Sequence, residues 1–300
     1  MLKTKLQNLT LKNPTVLVSG ILGNTAGLLK SMENAGAGAL TTKSISLQPG
    51  AGHENPCVVE LKTGLLNAMG LPNPGITEFK KELNDYKKTG NIPVIGSCFG
   101  KTLGEYVKIA SELVDYVDAI ELNLSCPNDA DVMLFGQNPK TVRDVVTNVK
   151  SVMPKNKPLI VKLTSCVNSI SEIARSAVDG NCDIIAAINT IPGMAIDIEM
   201  KKPVLANKIG GYSGAGIKPI AIRCVYEIAR DVDVPILGIG GISNSYDAIE
   251  MIMAGASAVG VGTALKDDDK IFKKICTGIK EFMKEQNYTK IQDFVGCAVE

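Results

Sequence analysis

The chain has 300 residues, and its 32 lysines and arginines nearly balance its 31 aspartates and glutamates, which leaves a formal net charge of +1. This balance excludes the broad basic surface with which proteins hold nucleic acid or an anionic membrane, so we expect neither as a partner. Tryptophan is absent and His53 is the one histidine, so we expect no stacking platform for single strands and no metal site.

Along the chain, short apolar runs alternate with longer amphipathic stretches. The runs predict eight strands, at residues 15–19, 39–42, 93–97, 119–123, 159–163, 183–187, 235–239 and 257–261. The stretches predict helices at residues 28–34, 76–88, 103–114, 140–152, 170–178, 220–230, 245–254 and 272–286. Near-continuous apolar strands are typical of a parallel sheet that helices cover on both faces.

Eight strand–helix units predict an α/β fold of the (β/α)8 type, a TIM barrel, with residues 1–300 as a single domain. The alternative is an open, doubly wound sheet, but the even spacing of the units favours the barrel. The long connections at residues 43–75, 125–139 and 190–216 all follow strands. We therefore expect these long loops on the C-terminal face, where barrel active sites lie.

The cysteines and the first residues predict the compartment. The eight cysteines are scattered and form no Cys-x-x-Cys pair, which argues against zinc-ribbon and ferredoxin-type motifs. Such spacing in a chain of this size fits a reducing compartment better than a disulfide framework. The first residues lack the apolar segment of a secretory signal, and no run of about 18 apolar residues predicts a membrane span. We therefore expect a cytoplasmic protein.

Two glycine-rich segments follow the last two predicted strands. Residues 238–241 read GIGG and residues 260–263 read GVGT. Glycine lets backbone N–H groups approach phosphate oxygens without a Cβ in the way, and the loops after strands seven and eight are a common phosphate site in barrels. Tight turns alone would also explain these glycines, but their position favours a phosphate site. The GGYSG segment at residues 210–214 is placed to approach the same ligand.

Polar residues end the fourth predicted strand. Alternation places Glu121, Asn123 and Ser125 on one face, where polar groups are costly unless they are paired or bound to a ligand. Asparagine offers both donors and an acceptor to a ring with amide groups. Cys126 follows on the loop. It is either a base or nucleophile above the barrel or a small buried hydrophobe, which is the commoner role of cysteine.

Two lysines, Lys43 and Lys162, lie at the ends of apolar strands. A lysine in a buried strand is not easily solvated, so we expect both to face the barrel mouth and meet an anion. Asn189 and Thr190 end the sixth strand in the same way, and Asn67 lies in the first long connection. The residues alone thus predict a barrel that binds a phosphorylated ligand, and they name no substrate.

An ordered set of motifs resembles the dihydroorotate dehydrogenase family, flavin enzymes of pyrimidine synthesis, over essentially the whole chain. The motifs are VSG at residues 18–20, TKS at 42–44, NAMGLPN at 67–73, NLSCPN at 123–128, VKL at 161–163, GYSG at 211–214, GG at 240–241 and GT at 262–263. Each motif is modest evidence, whereas the ordered set is specific. The resemblance implies a barrel with FMN at its mouth and the FMN phosphate in the last two loops.

The resemblance also implies which residues bind the cofactor and the substrate. The flavin would be lined by Ser19, Lys43, Ser44, Asn123, Lys162, Ile188, Gly214, Gly240, Gly241, Gly262 and Thr263. Dihydroorotate or orotate would be held by Lys43, Asn67, Met69, Gly70, Leu71, Asn123, Asn128, Asn189 and Thr190. In this comparison Lys43 forms an ion pair with the substrate carboxylate, and the asparagines form hydrogen bonds with the ring amides and carbonyls.

The family's catalytic base corresponds to Cys126. The reaction implied is removal of the C5 proton of dihydroorotate by this cysteine, with transfer of the C6 hydride to the flavin. Lys162 would stabilise the negative charge of the reduced flavin. A cysteine base is typical of the class 1 enzymes, whereas the membrane-associated class has serine there.

Two kinds of class 1 enzyme differ in their electron acceptor. One is a homodimer that uses fumarate, and the other passes electrons to NAD⁺ through an iron–sulfur FAD subunit, in a heterotetramer built on a dimer of the barrel chain. Residues 214–223 and 255–259 look more like the NAD-linked kind, which we therefore expect. The fumarate-linked homodimer stays as the alternative.

Two departures from the family pattern affect these expectations. Ser97 stands where the family often has an asparagine that contacts flavin, and serine is too short for that contact to be assumed. Residues 129–136 replace a glycine pair in a loop that covers the substrate in relatives. An FMN barrel acting on another dihydropyrimidine is a further alternative. An RNA-reducing flavin barrel is disfavoured by the net charge, and a non-catalytic flavin carrier would not need the asparagine set.

Overall fold

The computed structural model describes residues 2–124 and 135–300. Its strands, in chain order, are β1 (Thr4–Leu6), β2 (Leu9–Leu11), β3 (Thr15–Leu17), β4 (Ala39–Thr41), β5 (Val58–Leu61), β6 (Gly64–Asn67), β7 (Val94–Cys98), β8 (Ala119–Asn123), β9 (Leu159–Leu163), β10 (Ile184–Ala187), β11 (Ile191–Gly193), β12 (Ile196–Asp197), β13 (Lys202–Pro203), β14 (Gly210–Ser213), β15 (Ile236–Ile239) and β16 (Ala258–Val261). The helices in these ranges are α1 (Ala26–Ala35), α2 (Gly75–Lys87), α3 (Leu103–Leu113), α4 (Pro139–Ser151), α5 (Ile170–Asp179), α6 (Lys218–Asp231), α7 (Ser245–Met253) and α8 (Ile271–Glu285).

Eight parallel strands close into a barrel in the order β3, β4, β7, β8, β9, β10, β15 and β16, and β16 returns to β3. Barrel strands that follow one another along the chain are therefore neighbours in the barrel, as right-handed strand–helix–strand units require. The predicted (β/α)8 barrel is confirmed, and an open doubly wound sheet is excluded.

Each barrel strand alternates between the inside of the barrel and the surrounding helices. In β8, Ala119 belongs to the inner apolar cluster, whereas Ile120 and Leu122 belong to the cluster between sheet and helices. In β9, Ile160 faces inward in the same way. Because side chains repeat with a period of two along a strand, Glu121, Asn123 and Lys162 are placed on the inner face nearer the C-terminal end of the barrel.

Most helices begin where a short polar side chain caps the first turn. The cap side chains accept a hydrogen bond from a backbone N–H three residues further on, which replaces one of the bonds that a helix start lacks. These caps are Thr25, Thr102, Asn138, Ser169 and Asn244.

A hairpin of β1 and β2 closes the N-terminal end of the barrel. Leu6, Leu9 and Leu11 are buried in the same cluster as the inward residues of the barrel strands. The amino-acid pattern of these first residues did not predict this plug. Its apolar side chains fill the lower barrel, so the polar inner residues are confined to the upper end.

A four-stranded antiparallel sheet, in the order β11, β14, β6 and β5, lies in the two long connections that follow β4 and β10. We call it the roof sheet. Leu66, Ala68 and Leu205 form its small buried core. The two connections were predicted on the C-terminal face as long loops, and the structure shows that they pair with each other there. Within the described ranges, no helix is both long enough and apolar enough to cross a bilayer.

Candidate functional site

A cavity of about 570 Å³ lies between the upper end of the barrel and the roof sheet. This volume is within the range of pockets that bind small organic ligands. The predicted site residues that line it are Ser19, Lys43, Ser44, Asn67, Met69, Leu71, Asn123, Lys162, Ile188, Asn189, Thr190, Gly214, Gly240, Gly241, Gly262 and Thr263. Gly70 is not in the lining and packs against His53. Cys126 and Asn128 lie outside the described residues.

The floor of the cavity is a connected group of polar side chains. The Ser44 hydroxyl lies 3.1 Å from the Ser19 hydroxyl and 2.9 Å from the Ser97 hydroxyl, and it accepts from Asn123 Nδ2 at 3.1 Å. Ser97 donates to Glu121 Oε1 at 3.0 Å. Ser97 is fully buried and is not part of the lining, so it lies behind Ser44 as seen from the cavity.

Two asparagines continue this network along the wall. Asn189 Nδ2 donates to Asn123 Oδ1 at 3.3 Å, and the backbone N–H of Thr190 donates to Asn189 Oδ1 at 2.8 Å. Across the cavity, Asn67 Nδ2 donates to the Gly211 carbonyl of β14 at 3.0 Å. The three amides are therefore held by protein partners, and the wall presents oriented amide and hydroxyl groups to a ligand.

Two ammonium groups lie at the base of the same cavity. Lys43 and Lys162 are each 6% exposed and both line the cavity. Lys162 pairs in register with Asn123 of β8 on one side and Ala186 of β10 on the other. Because both ammonium groups line the cavity, their positive charge lies beside whatever fills it, and this base of the cavity suits a ligand that carries negative charge.

Glycine loops form one end of the cavity. Gly240 and Gly241 have φ of +132° and +75°, which L side chains rarely adopt. A Cβ on Gly241 would lie 2.7 Å from the backbone N of Lys218, the first residue of α6, so only glycine fits against this helix start. Glycine lets backbone N–H groups approach phosphate oxygens without a Cβ in the way, which makes this end of the cavity suitable for a phosphate.

Asp247 braces the loop that follows β15. Its carboxylate accepts from the backbone N–H of Ser243 at 2.9 Å, from the Ser243 hydroxyl at 2.7 Å and from Lys218 Nζ at 2.8 Å. Burial raises the pKa of Asp247, but the bonds from Lys218 and Ser243 outweigh that effect and hold the pKa below its usual value. The loop and the start of α6 are thereby fixed to each other.

The tip of the β5–β6 hairpin forms an outer wall that sequence analysis missed. The Thr63 hydroxyl lies 2.5 Å from the Tyr212 hydroxyl, and Lys266 Nζ lies 2.9 Å from Glu60 Oε1. Thr263 Oγ1 donates to Ser213 Oγ at 2.9 Å, which joins the last barrel loop to the roof sheet. The length of the first connection was the available signal, but its partners are too distant in sequence for a local pattern to identify.

Three buried or half-buried cysteines have raised pKa values and are poorly suited to chemistry as thiolates. Burial raises the pKa of Cys182 to about 12 and the pKa of Cys224 and of Cys276 to about 11. These thiols stay protonated at neutral pH, in agreement with the expectation that most of the cysteines pack as small hydrophobes. In the described ranges, no group of three His, Cys, Asp or Glu side chains is placed to hold a metal ion.

Comparisons with known proteins identify one family over nearly the full length of the chain. The family described as dihydroorotate dehydrogenase matches residues 1–283. A protein of Pyrococcus horikoshii is 47% identical over 100% of this chain and 98% of its own length, and one of Methanocaldococcus jannaschii is 47% identical over 100% and 99%. A protein of Methanosarcina mazei is 46% identical over 98% and 94%. All three are named dihydroorotate dehydrogenase B (NAD(+)), catalytic subunit.

Proposed function

The chain belongs to the dihydroorotate dehydrogenase family, and from this membership we propose that it oxidises dihydroorotate to orotate in pyrimidine synthesis, with FMN as its cofactor. The observation that carries the proposal is the single cavity that joins a glycine-lined anion site to a wall of oriented asparagines and two buried lysines. A phosphorylated cofactor and a small anionic ring with amide groups need this combination.

The residues present fit FMN. The FMN phosphate would be held at Gly240, Gly241, Gly262 and Thr263, and close packing at the three glycines leaves no room for side chains. The ring system would lie over the polar floor, lined by the remaining predicted residues, which are Ser19, Lys43, Ser44, Asn123, Lys162, Ile188 and Gly214.

Substrate recognition would use polar groups on both sides of the cavity. Lys43 would form an ion pair with the substrate carboxylate. The side chains of Asn67, Asn123, Asn189 and Thr190 would form hydrogen bonds with the ring amides and carbonyls. Met69 and Leu71 would supply apolar contact. Gly70 and Asn128 complete the proposed substrate set, Gly70 from outside the lining and Asn128 from outside the described residues.

Oxidation removes a proton from C5 and a hydride from C6 of dihydroorotate, and bound flavin supplies the hydride acceptor. We assign the C5 proton to Cys126 as the base, which needs this thiol in its thiolate form near the substrate. The Lys162 ammonium would stabilise negative charge as it develops at the ring edge. Lys162 would meet this charge from its place in β9.

We further propose that the electrons pass to NAD⁺ through a second, iron–sulfur FAD subunit, in a heterotetramer built on a dimer of this chain. The relatives' printed names, with NAD(+) and "catalytic subunit", support this assignment. An exposed apolar row on the connection after β10 also supports a protein partner: Met194 is 49% exposed, Ile198 85% and Met200 61%. The seven described cysteines are free thiols, which supports a cytoplasmic location.

The test is an anaerobic absorbance spectrum of the purified chain before and after dihydroorotate is added. We expect the protein to be yellow and to bleach, and a flavin that stays oxidised would reject this substrate and direct attention to other dihydropyrimidines. Cys126→Ala should retain FMN but lose bleaching, whereas the matched variant Cys297→Ala, at an exposed cysteine, should bleach normally. Undiminished bleaching by Cys126→Ala would reject the proposed base. Reoxidation by fumarate without a second subunit would reject the NAD⁺ assignment.

A further inference from the structure

The polar floor contains a chain of hydrogen bonds that begins at a group able only to donate and ends at a group able only to accept. The Thr190 N–H donates to Asn189 Oδ1, Asn189 Nδ2 to Asn123 Oδ1, and Asn123 Nδ2 to Ser44 Oγ. Ser44 then meets Ser97, and Ser97 meets Glu121 Oε1. The two ends restrict the direction of every bond between them.

The acid end decides the direction at the serines. A carboxylate has no proton to donate, so the single Ser97 proton goes to Glu121 and the Ser97 oxygen must accept from Ser44. The single Ser44 proton is then committed to Ser97, which lies 2.9 Å away. The Ser19 hydroxyl, 3.1 Å from the Ser44 hydroxyl, must therefore donate its hydrogen bond to Ser44. Ser44 also accepts from Asn123 Nδ2, so both of its lone pairs are occupied, and Ser19 is the serine whose lone pairs are left to face the cavity that it lines.

Glu121 itself does not reach the cavity. It is 1% exposed and lies on the inner face of β8, one inward position below Asn123, and it is absent from the lining. A buried carboxyl is costly to retain, and neither the substrate contacts nor the proton transfer proposed above use it.

We propose that Glu121 is a positioning residue that, acting through Ser97 and Ser44, makes Ser19 an obligate hydrogen-bond acceptor toward the bound flavin ring. This inference rests on the proposed function, because it assumes that the ring over this floor is a flavin. Ser19 would then select a ring that presents an N–H group at that position and would disfavour one that presents a carbonyl there.

The isosteric variant Glu121→Gln tests the proposal. Its amide is able to donate to Ser97, which allows Ser97 to donate to Ser44, lets Ser44 donate to Ser19 and frees the Ser19 proton to turn toward the cavity. The asparagines keep their orientation, since the Thr190 N–H fixes them from the other end. We expect apoprotein of this variant to bind FMN about five- to tenfold more weakly, the usual effect of one compromised hydrogen bond. The orotate dissociation constant of the FMN-saturated protein should change less than about twofold.

Ser97→Ala breaks the same chain one bond later and supplies the second arm. It should weaken FMN binding by a similar factor, and the double variant should be no worse than either single variant, because both remove one effect. The flavin absorption band should shift alike in all three. Glu33→Gln is the matched control, since Glu33 accepts from Tyr86 far from the cavity and its loss should not alter FMN binding.

Unchanged FMN affinity in both single variants would overturn the proposal, and so would additive losses in the double variant. Equal weakening of FMN and orotate binding would also overturn it, because that result would indicate general damage to the floor. A wild-type chain that binds no FMN at all would instead reject the proposed function. The two failures are therefore distinguishable.

Discussion

The contact between Gly241 and the first residue of α6 yields a quantitative prediction for Gly241→Ala. The new Cβ would lie 2.5 Å from Lys218 Cβ and 2.7 Å from Lys218 Cα and N. Carbon atoms reach contact at about 3.5 Å, so the loop and the helix start must separate by about 1 Å. A left-handed alanine costs about 1–2 kcal/mol and overpacking adds about 1–3 kcal/mol, which together give about 2–5 kcal/mol.

Gly296→Ala provides the matched control. Gly296 has φ of +69°, close to the +75° of Gly241, but the nearest atom to its Cβ position is 3.8 Å away. It should therefore show only the backbone cost of about 1–2 kcal/mol. The difference of about 1–3 kcal/mol between the variants corresponds to a difference in Tm of roughly 2–12 °C for a domain of this class. Thermal unfolding of both variants, followed by circular dichroism, measures it.

FMN binding distinguishes a phosphate cradle from a merely tight turn. If the Gly241 N–H holds the phosphate, a displacement of about 1 Å should remove a hydrogen bond to a charged group worth about 1.5–3 kcal/mol. The FMN dissociation constant, measured by quenching of flavin fluorescence, should rise about 10- to 150-fold in Gly241→Ala and stay unchanged in Gly296→Ala. A rise below about threefold in Gly241→Ala would refute the assignment of this loop to the phosphate.

Two further predictions concern stability. The lowered pKa of Asp247 means that the folded chain binds fewer protons there than the unfolded chain, so this stabilisation is present above about pH 4 and is lost as the pH falls through the folded pKa. The difference in unfolding free energy between wild type and Asp247→Asn, from urea titrations, should therefore shrink toward about pH 2, and a constant difference would contradict the sign. Phe79 is fully buried between the barrel and the helices, and its replacement by alanine should lower the free energy of unfolding by about 3–5 kcal/mol. Urea unfolding measures this loss, and a loss below about 1 kcal/mol would mean that the site repacks.

The barrel was predictable because its elements are local. Each strand is an apolar run that needs no knowledge of its partner, and the predicted bounds 119–123 and 159–163 match those of β8 and β9. The predicted helices differ from the observed ones by one residue at each C-terminal end and by two residues at most at a start, and the largest differences are at the starts of α1 and α6. For example, Thr25 lies ahead of the predicted start at residue 28 and begins α1 at Ala26.

The roof sheet and the lower part of the floor were not predictable in the same way. Tyr212 of β14 pairs with Leu66 of β6, and no local pattern reports a partner so distant along the chain. Alternation did place Glu121 on the same face as Asn123, but its link through Ser97 to Ser44 depends on the lateral register of β4, β7 and β8. A single sequence indicates which face a residue occupies more readily than which neighbour it meets.

The roof sheet has a consequence for how the molecule opens. The Asn67 amide and the Gly211 carbonyl that join its two halves are 144 residues apart in sequence, whereas the barrel beneath is built from consecutive units. The buried core of the roof is Leu66, Ala68 and Leu205, far smaller than the core between the barrel and its helices. Regions with little buried apolar surface open at lower free energy than the core around them. We therefore expect the roof sheet to separate at lower free energy than the barrel beneath it.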